Sequence, residues 1–408
     1  MKKSVLTATA IGANVNFQPI SGLELKEIVG KLAVCVEKNN SLPVLDMARF
    51  DSNGITTTTL EASCIVPNKS FYSGVGLLEF QTLNVISRAM KPTDKLAIMF
   101  NSETFESSVL LNGVKYGNFQ GSDIAEFPLI PTKVDNYAGL LDCNMLKKYV
   151  GFASKDGLRP AMTGVYFNEG EVVATDAHCM VWGKQKTTLS ETIIPAIASK
   201  LTGAYKVSYN DTNVKFENNQ ATYVFRKIDE KYPNHKAVIP TGGRYTLTVG
   251  KSQLIEALNK VVPHGNTTNR QVILYISANN VTLCTQDLDF SRESTISLEC
   301  DFVERPLTDA EIEHAKKRNE SIAKKFSTDG SKKVKEQLVL EAQKLAELNA
   351  ELTATKLPTM EISFNGMFLL KCLNATYGET IDLVMSSPTL ACIINERMLI
   401  MPVMINVN

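Results

Sequence analysis

Apolar residues recur at helical spacing in three places along the chain: Leu25, Ile28, Val29 and Leu32; Leu146, Val150 and Ala153; and Leu254, Leu258 and Val261. Each set forms one stripe of an amphipathic helix, because residues three and four apart lie one above the other. A short irregular link follows each helix, then two apolar runs of strand length joined by a turn. In the first of these, Asn53-Gly54 marks the turn, since such a pair supplies the left-handed backbone that a two-residue hairpin needs. The markers Leu25, Leu146 and Leu254 stand 121 and 108 residues apart, a domain-sized period.

Each repeat has a second half on the same plan, a helix followed by strands. These halves open with "LEFQTLNVISRAM", "IIPAIASKLTG" and "NGMFLLKCLNATYG", and the first two repeats leave through "AEFPLIP" and "EKYPNHKAVIP", where prolines punctuate the exit. The parse is an α+β chain of three pseudo-repeated domains, 1–135, 136–241 and 242–408, with six helix-plus-strands units. One segment, about 303–358, breaks the symmetry of the third repeat. Thr308 and Glu311 have capping-box spacing, Ser327 to Ser331 is a breaker, and Val334, Leu338, Leu345, Leu348 and Leu352 then form an apolar stripe on a charged helix. This insertion reads as a helical hairpin packed on its own domain, with a partner-binding arm as the alternative.

Composition narrows the function classes. Lys+Arg and Asp+Glu both number 43, so any affinity for nucleic acid comes from how charge is distributed, not from a net field. No apolar run reaches the roughly 20 residues that cross a bilayer, and the start lacks a secretory pattern, so the expectation is a cytoplasmic protein with no membrane role. The eight cysteines are scattered without a C-x-x-C pair, and the four histidines have no partner at zinc-ligand spacing. No metal or other cofactor is expected. The stretch "GEVVATDAHCMVW" nevertheless sets Asp176, His178 and Cys179 almost side by side. Asp176 and His178, with Asp287 and Asp289, would be the raw material of a hydrolase or a metal-dependent nuclease. Against that, there is no carboxylate cluster and no G-x-S-x-G elbow, and "TQDLD", "TTTLE" and "TDAHC" share one repeat position, the end of a strand.

Five motifs carry a resemblance: "LPVLDMARF", "RPAMTGVYF" (Arg159 to Phe167), "VVATDAHCM" (Val172 to Met180), "KYPNHKAVIP" and the terminal "LIMPVMI". In this order within a threefold repeat, they resemble the bacterial sliding clamp, the beta subunit of DNA polymerase III. The resemblance implies a ring of two subunits meeting head to tail, with helices lining the hole and antiparallel sheets outside. Double-stranded DNA would pass through without sequence readout. It also implies no catalysis: the protein is an accessory subunit, a processivity factor serving the replicative DNA polymerase and loaded by a clamp loader.

Sliding needs cations that face phosphates and ignore bases, because phosphate attraction is nearly equal at every register. Candidates opposite the apolar stripes are Lys26 and Lys31, Arg88 and Lys91, Lys147 and Lys148, Lys200, Lys251 and Lys260, and Lys371. The resemblance adds Lys155 and Arg159, in the loop after the third helix. It also implies a hydrophobic pocket for a short peptide carried by polymerases and other partners. Its wall would be Thr175, Ala177, His178, Cys179 and Met180, with Met162 beneath, Pro233, Ala237 and Val238 on a second side, and Met401, Pro402, Val403 and Met404 closing it. Methionine-rich walls adapt their shape to different peptides.

The chain departs from the family pattern there. Glycine, arginine and leucine are usual at Ala177, Cys179 and Met180, a second arginine at Ala237, and the chain runs on through Asn406, Val407 and Asn408. A less positive, more apolar pocket follows, suited to peptides with fewer acidic residues. The subunit joint is expected around Lys115 to Asn118 and Val262 to His264. Two further alternatives are a trimeric clamp, for which two such domains per chain would be the pattern, and a peptide-binding scaffold of clamp-like fold that does not encircle DNA.

Overall fold

The computed structural model describes residues 14–16, 19–37, 40, 42–67, 74–131, 133–287, 290–306, 313 and 359–405. Among these are five α-helices: α1 (Gly22–Leu32), α2 (Phe80–Ala89), α3 (Asn144–Val150), α4 (Lys251–Val261) and α5 (Gly366–Ala375). Polar side chains open two of them by taking up free amides. Ser21 Oγ accepts from the Glu24 amide at 3.2 Å, and Asn365 Oδ1 accepts from the Met367 and Phe368 amides at 3.0 and 3.2 Å. The apolar stripes are buried as the spacing predicts: Leu25, Ile28, Val29 and Leu32 on α1, and Leu254, Leu258 and Val261 on α4, where Ala257 joins them. At α3, Leu146 and Ala153 are buried while Val150 is only partly so, and Tyr149 and Phe152 fill the face instead.

Two local expectations are corrected. The helix expected at "IIPAIASK" is a strand, Thr192–Pro195, running into a five-residue 3-10 helix, Ala196–Lys200. Only five residues separate Pro195 from the extended Leu201, too few for α-helical hydrogen bonds to repay nucleation. The Asn53-Gly54 hairpin exists, but Ser52 and Asn53 form its turn and Gly54 pairs back to Asp51. Asp51 Oδ1 accepts from the Asn53 amide at 2.8 Å, and Gly54, at φ +131°, starts the return strand. A Cβ on Gly54 would lie 2.1 Å from the Val66 carbonyl oxygen, so the position also needs glycine for space. The expected capping box at Thr308 and Glu311, the stripe from Val334 to Leu352, Asp289 and Asn406 to Asn408 lie outside the described residues.

The chain divides into two compact units: Met1–Asp176 with Trp182–Pro233, and Ala177–Val181 with Asn234–Asn408. In the first unit, an antiparallel sheet orders Asn14–Asn16, Lys95–Asn101, Glu106–Leu111 and Val114–Gln120, the last being an edge strand. A second sheet has eight strands in the order Asn136–Asp142, Ala204–Tyr209, Asn213–Glu217, Thr222–Arg226, Ala62–Val66, Gly54–Thr58, Met47–Asp51 and Gly76–Glu79. The pairing of Thr222–Arg226 with Ala62–Val66 joins the first and second repeats, with Thr222 opposite Ile65 and Phe225 opposite Ala62. Aromatic rings fill the space beneath. Tyr223 lies 5.9 Å from Tyr205 edge-on and 6.2 Å from Phe225, Phe225 meets Phe216 at 5.7 Å, and the Tyr223 hydroxyl donates to the Lys31 carbonyl at 3.4 Å. Burial there pushes the Cys35 thiol up to about 12 against the pull of Lys200, and the neighbouring Cys64 thiol is also raised, chiefly by burial. These are inert core thiols.

The second unit pairs Met360–Asn365, Gln271–Ser277, Asn280–Asp287, Arg292–Glu304, Tyr245–Gly250, Thr380–Met385, Cys392–Ile394 and Met398–Ile400 in that spatial order, all antiparallel. The short segment Cys179–Val181 adds to its end, Cys179 opposite Ile400 and Val181 opposite Met398. The repeat position shared by "TTTLE" and "TDAHC" is a strand end, at Gly54–Thr58 and Glu171–Thr175; of "TQDLD", the described residues Thr285 to Asp287 lie in the strand Asn280–Asp287.

Candidate functional site

The residues expected around a peptide pocket fall in both units, and each set has its own geometry. In the second unit, Ala177 turns the chain with φ +72°, a left-handed value that suits glycine better than alanine. The turn throws His178 outward and Cys179 and Met180 inward: Cys179 is 1% exposed and Met180 2%. The His178 ring stacks on Phe368 of α5 at 4.9 Å and 17°, and the Cys179 thiol points at the Phe368 carbonyl oxygen, 3.9 Å away. The Lys371 ammonium stands 6.0 Å from the same Phe368 ring. The Met401 amide donates to the His178 carbonyl at 2.9 Å. Beyond it, the side chains of Met401 and Met404 are exposed and those of Pro402 and Val403 partly buried. His235–Val238 is a 3-10 helix with His235 buried and Ala237 and Val238 exposed.

In the first unit, Met162 ends a 3-10 turn, Pro160–Met162, and its carbonyl accepts from the Ser154 amide at 2.8 Å. Thr175 ends its strand and is buried, and Pro233 is partly buried. Sequence reasoning missed the feature that organises this set: Tyr232 stacks on Tyr166 with ring centres 4.4 Å apart and planes 4° from parallel. Burial pushes the Tyr232 phenol well up, while the Thr175 backbone beside it works the other way. Tyr166 is raised as well, by burial first and then by Glu191 and Glu171. Both tyrosines lie inside quoted motifs, "TGVYF" and "KYPNH", so the signal was there. Phe368 had none, because it lies 189 residues from Cys179.

Of the three side chains that raised the enzyme reading, Cys179 enters the core while His178 lies on an aromatic ring. Among the described residues, no group of three or more His, Cys, Asp and Glu side chains is arranged to hold a metal, and no helix is long and apolar enough to cross a membrane.

All twelve cations proposed to face DNA reach the surface in full or in part. Several have local partners. Lys260 Nζ lies 2.7 Å from Glu256 Oε1, Lys251 Nζ donates to the Thr376 carbonyl at 2.7 Å, and Arg159 Nε is 3.9 Å from Asp156 Oδ2. Of the segments expected at a subunit joint, Lys115 to Asn118 lie on the edge strand Val114–Gln120, whose Tyr116 and Val114 are exposed. Val262–His264 forms a 3-10 helix directly after α4, with Val262 buried.

Comparison with known proteins gives one consistent direction. No family profile matches the chain. The beta sliding clamp of Streptococcus pneumoniae R6 is 20% identical over 258 residues, covering 55% of this chain and 68% of that protein. The beta sliding clamp of Bacillus subtilis is 24% identical over 176 residues, covering 38% and 46% respectively. In structure, the DNA polymerase III beta subunit of Thermotoga maritima superposes with a TM-score of 0.71 at 16% identity, over 96% of this chain and all of that one. The griselimycin-bound sliding clamp of Bartonella birtlesii gives 0.73 at 16% over the same shares. The chain thus has the α+β fold of the DNA clamps and resembles bacterial beta sliding clamps in sequence.

Proposed function

We propose that this chain is a bacterial-type sliding clamp, a non-enzymatic processivity factor that encircles duplex DNA without sequence preference and tethers a replicative DNA polymerase. The observation that carries the reading is the clamp fold over nearly the whole chain, joined to a sequence likeness to proteins named beta sliding clamp. The chain works as a head-to-tail homodimer organised as three repeated domains, 1–135, 136–241 and 242–408. The exposed edge strand Val114–Gln120 is a natural half of the joint, because an unpaired strand edge is a template for another strand. The clamp loader and polymerase each present a short peptide to the residues around His178 and Met401. Cys179 and Ala237 carry no charge where arginine is usual, and the exposed Met401, Met404 and Val238 are apolar, so the favoured peptides are apolar and poor in acidic residues.

The decisive experiment is retention on circular DNA. A closed ring around a circle cannot leave by dissociation of phosphate contacts, so salt that screens those contacts does not release it. With a clamp loader present, the protein is expected to stay on nicked circular plasmid at high salt and to run off once the plasmid is cut. Equal retention on cut and uncut plasmid would overturn the reading and favour a peptide-binding scaffold of the same fold.

A further inference from the structure

The segment Met401 to Met404 is held in place by a device that lies apart from its apolar surface. The strand Met360–Asn365 is paired on one side with Gln271–Ser277, Ser363 opposite Ile273. Along its other side runs the segment itself. The Val403 amide donates to the Ser363 carbonyl at 2.8 Å, and the Ser363 hydroxyl donates to the Val403 carbonyl at 2.6 Å. Gln271 Nε2 donates to the Ser363 hydroxyl oxygen at 2.8 Å and to the Met404 carbonyl at 3.2 Å. Ser363 is fully buried, so its hydroxyl has no ready water to fall back on, and each of these bonds is costly to break singly.

The chain enters this arrangement already fixed, because the Met401 amide is bonded to the His178 carbonyl. Pro402 has no amide to satisfy and a restricted φ. The segment is therefore tied down by its backbone at Met401, Val403 and Met404, and the tie uses neither methionine side chain: Met401 is 39% and Met404 70% exposed. Two apolar, adaptable side chains are held at fixed places on a bonded backbone and left open to meet a ligand.

We propose that Gln271 and Ser363 are positioning residues that hold the Met401 to Met404 segment in its ligand-receiving form before any ligand arrives. This rests on the peptide-site reading above, and deepens it by naming what pre-organises one wall. Apparent affinity scales with the fraction of molecules already in the competent form, so loosening the segment weakens binding without touching any ligand contact.

The test uses the full chain and griselimycin, the ligand carried by the Bartonella birtlesii clamp, with Ser363→Ala and Gln271→Ala as separate variants. Each is expected to weaken griselimycin binding about fivefold, the equivalent of roughly one net hydrogen bond. The loss should fall mainly on the association rate, and hydrogen exchange of the Val403 amide should speed up, while the melting temperature should fall by no more than about 4 °C. Ser297→Ala, on the strand Arg292–Glu304 three places along the sheet from Met360–Asn365, should change none of these. If the parent binds griselimycin and both variants bind it equally well at the same rate, the positioning role is overturned and the peptide-site reading stands. If the parent does not bind, the peptide-site reading is the part that fails. The Val403 amide then still decides the tether: unchanged exchange in both variants overturns it.

Discussion

Ala177 and Leu60 share a backbone state. Both have φ +72°, and both occupy the same place in their repeats, two residues after Thr175 and Thr58, where a strand gives way to a turn. A left-handed backbone costs a residue with a Cβ about 1–2 kcal/mol, partly offset by the larger unfolded-state entropy that glycine brings. Ala177→Gly is therefore expected to raise unfolding stability by up to about 1 kcal/mol, read by urea titration. A drop in stability would show that the Ala177 methyl contributes packing that outweighs the strain. The resemblance marks Ala177 as a departure from glycine, so this strain was half legible: the sequence named the residue, and the dihedral supplied the physical meaning. The same holds for Cys179 and Met180, whose types stand out in the sequence but whose direction does not. Alternation along a strand sends neighbours to opposite faces, yet Cys179, Met180 and Val181 are all buried. Gln271 and Ser363 could not be read at all, since nothing local marks a glutamine and a serine 92 residues apart as a pair.

Helices and strands were the most legible features, because burial follows period. The stripes of α1 and α4 fell where the spacing put them, and the buried leucines there anchor whole elements. Leu254 is fully buried on α4. Leu254→Ala should cost about 2–5 kcal/mol through forfeited transfer energy and a residual cavity, seen as a lower denaturant midpoint. A loss under about 1 kcal/mol would mean the site collapses around the smaller side chain. The missed element, the 3-10 turn Ala196–Lys200, shows the limit of analogy between repeats. Sequence similarity of the halves suggested a helix, but Pro195 and the extended Leu201 confined it to one short turn. The junction strand Thr222–Arg226 was recognisable as a strand, whereas its partner Ala62–Val66 lies in another repeat, and no local pattern encodes that choice.

At the scale of the whole molecule, charge balance is the governing quantity. With 43 basic and 43 acidic residues, the proposed clamp reading assigns attraction to duplex to local groups such as Lys147 and Lys148, which extend from α3 with no acidic residue on that helix. On linear duplex, where a closed ring gives no retention, binding is expected to weaken with salt. Lys147→Ala with Lys148→Ala should lower the slope of log affinity against log salt by about 0.9 for each phosphate that is no longer neutralised. An unchanged slope would remove these two residues from the DNA-facing set. Neutral composition hid such patches from any whole-chain count, and only their placement on helices made them candidates.

The pairing of Ala62–Val66 with Thr222–Arg226 has a mechanical consequence. Four consecutive residue pairs bridge the first and second repeats within a single pleated sheet, so a load on one repeat passes to the other through backbone rather than across a soft linker. Bending of this part of the chain is spread over eight strands, and the two repeats resist being pulled apart as one stiff plate.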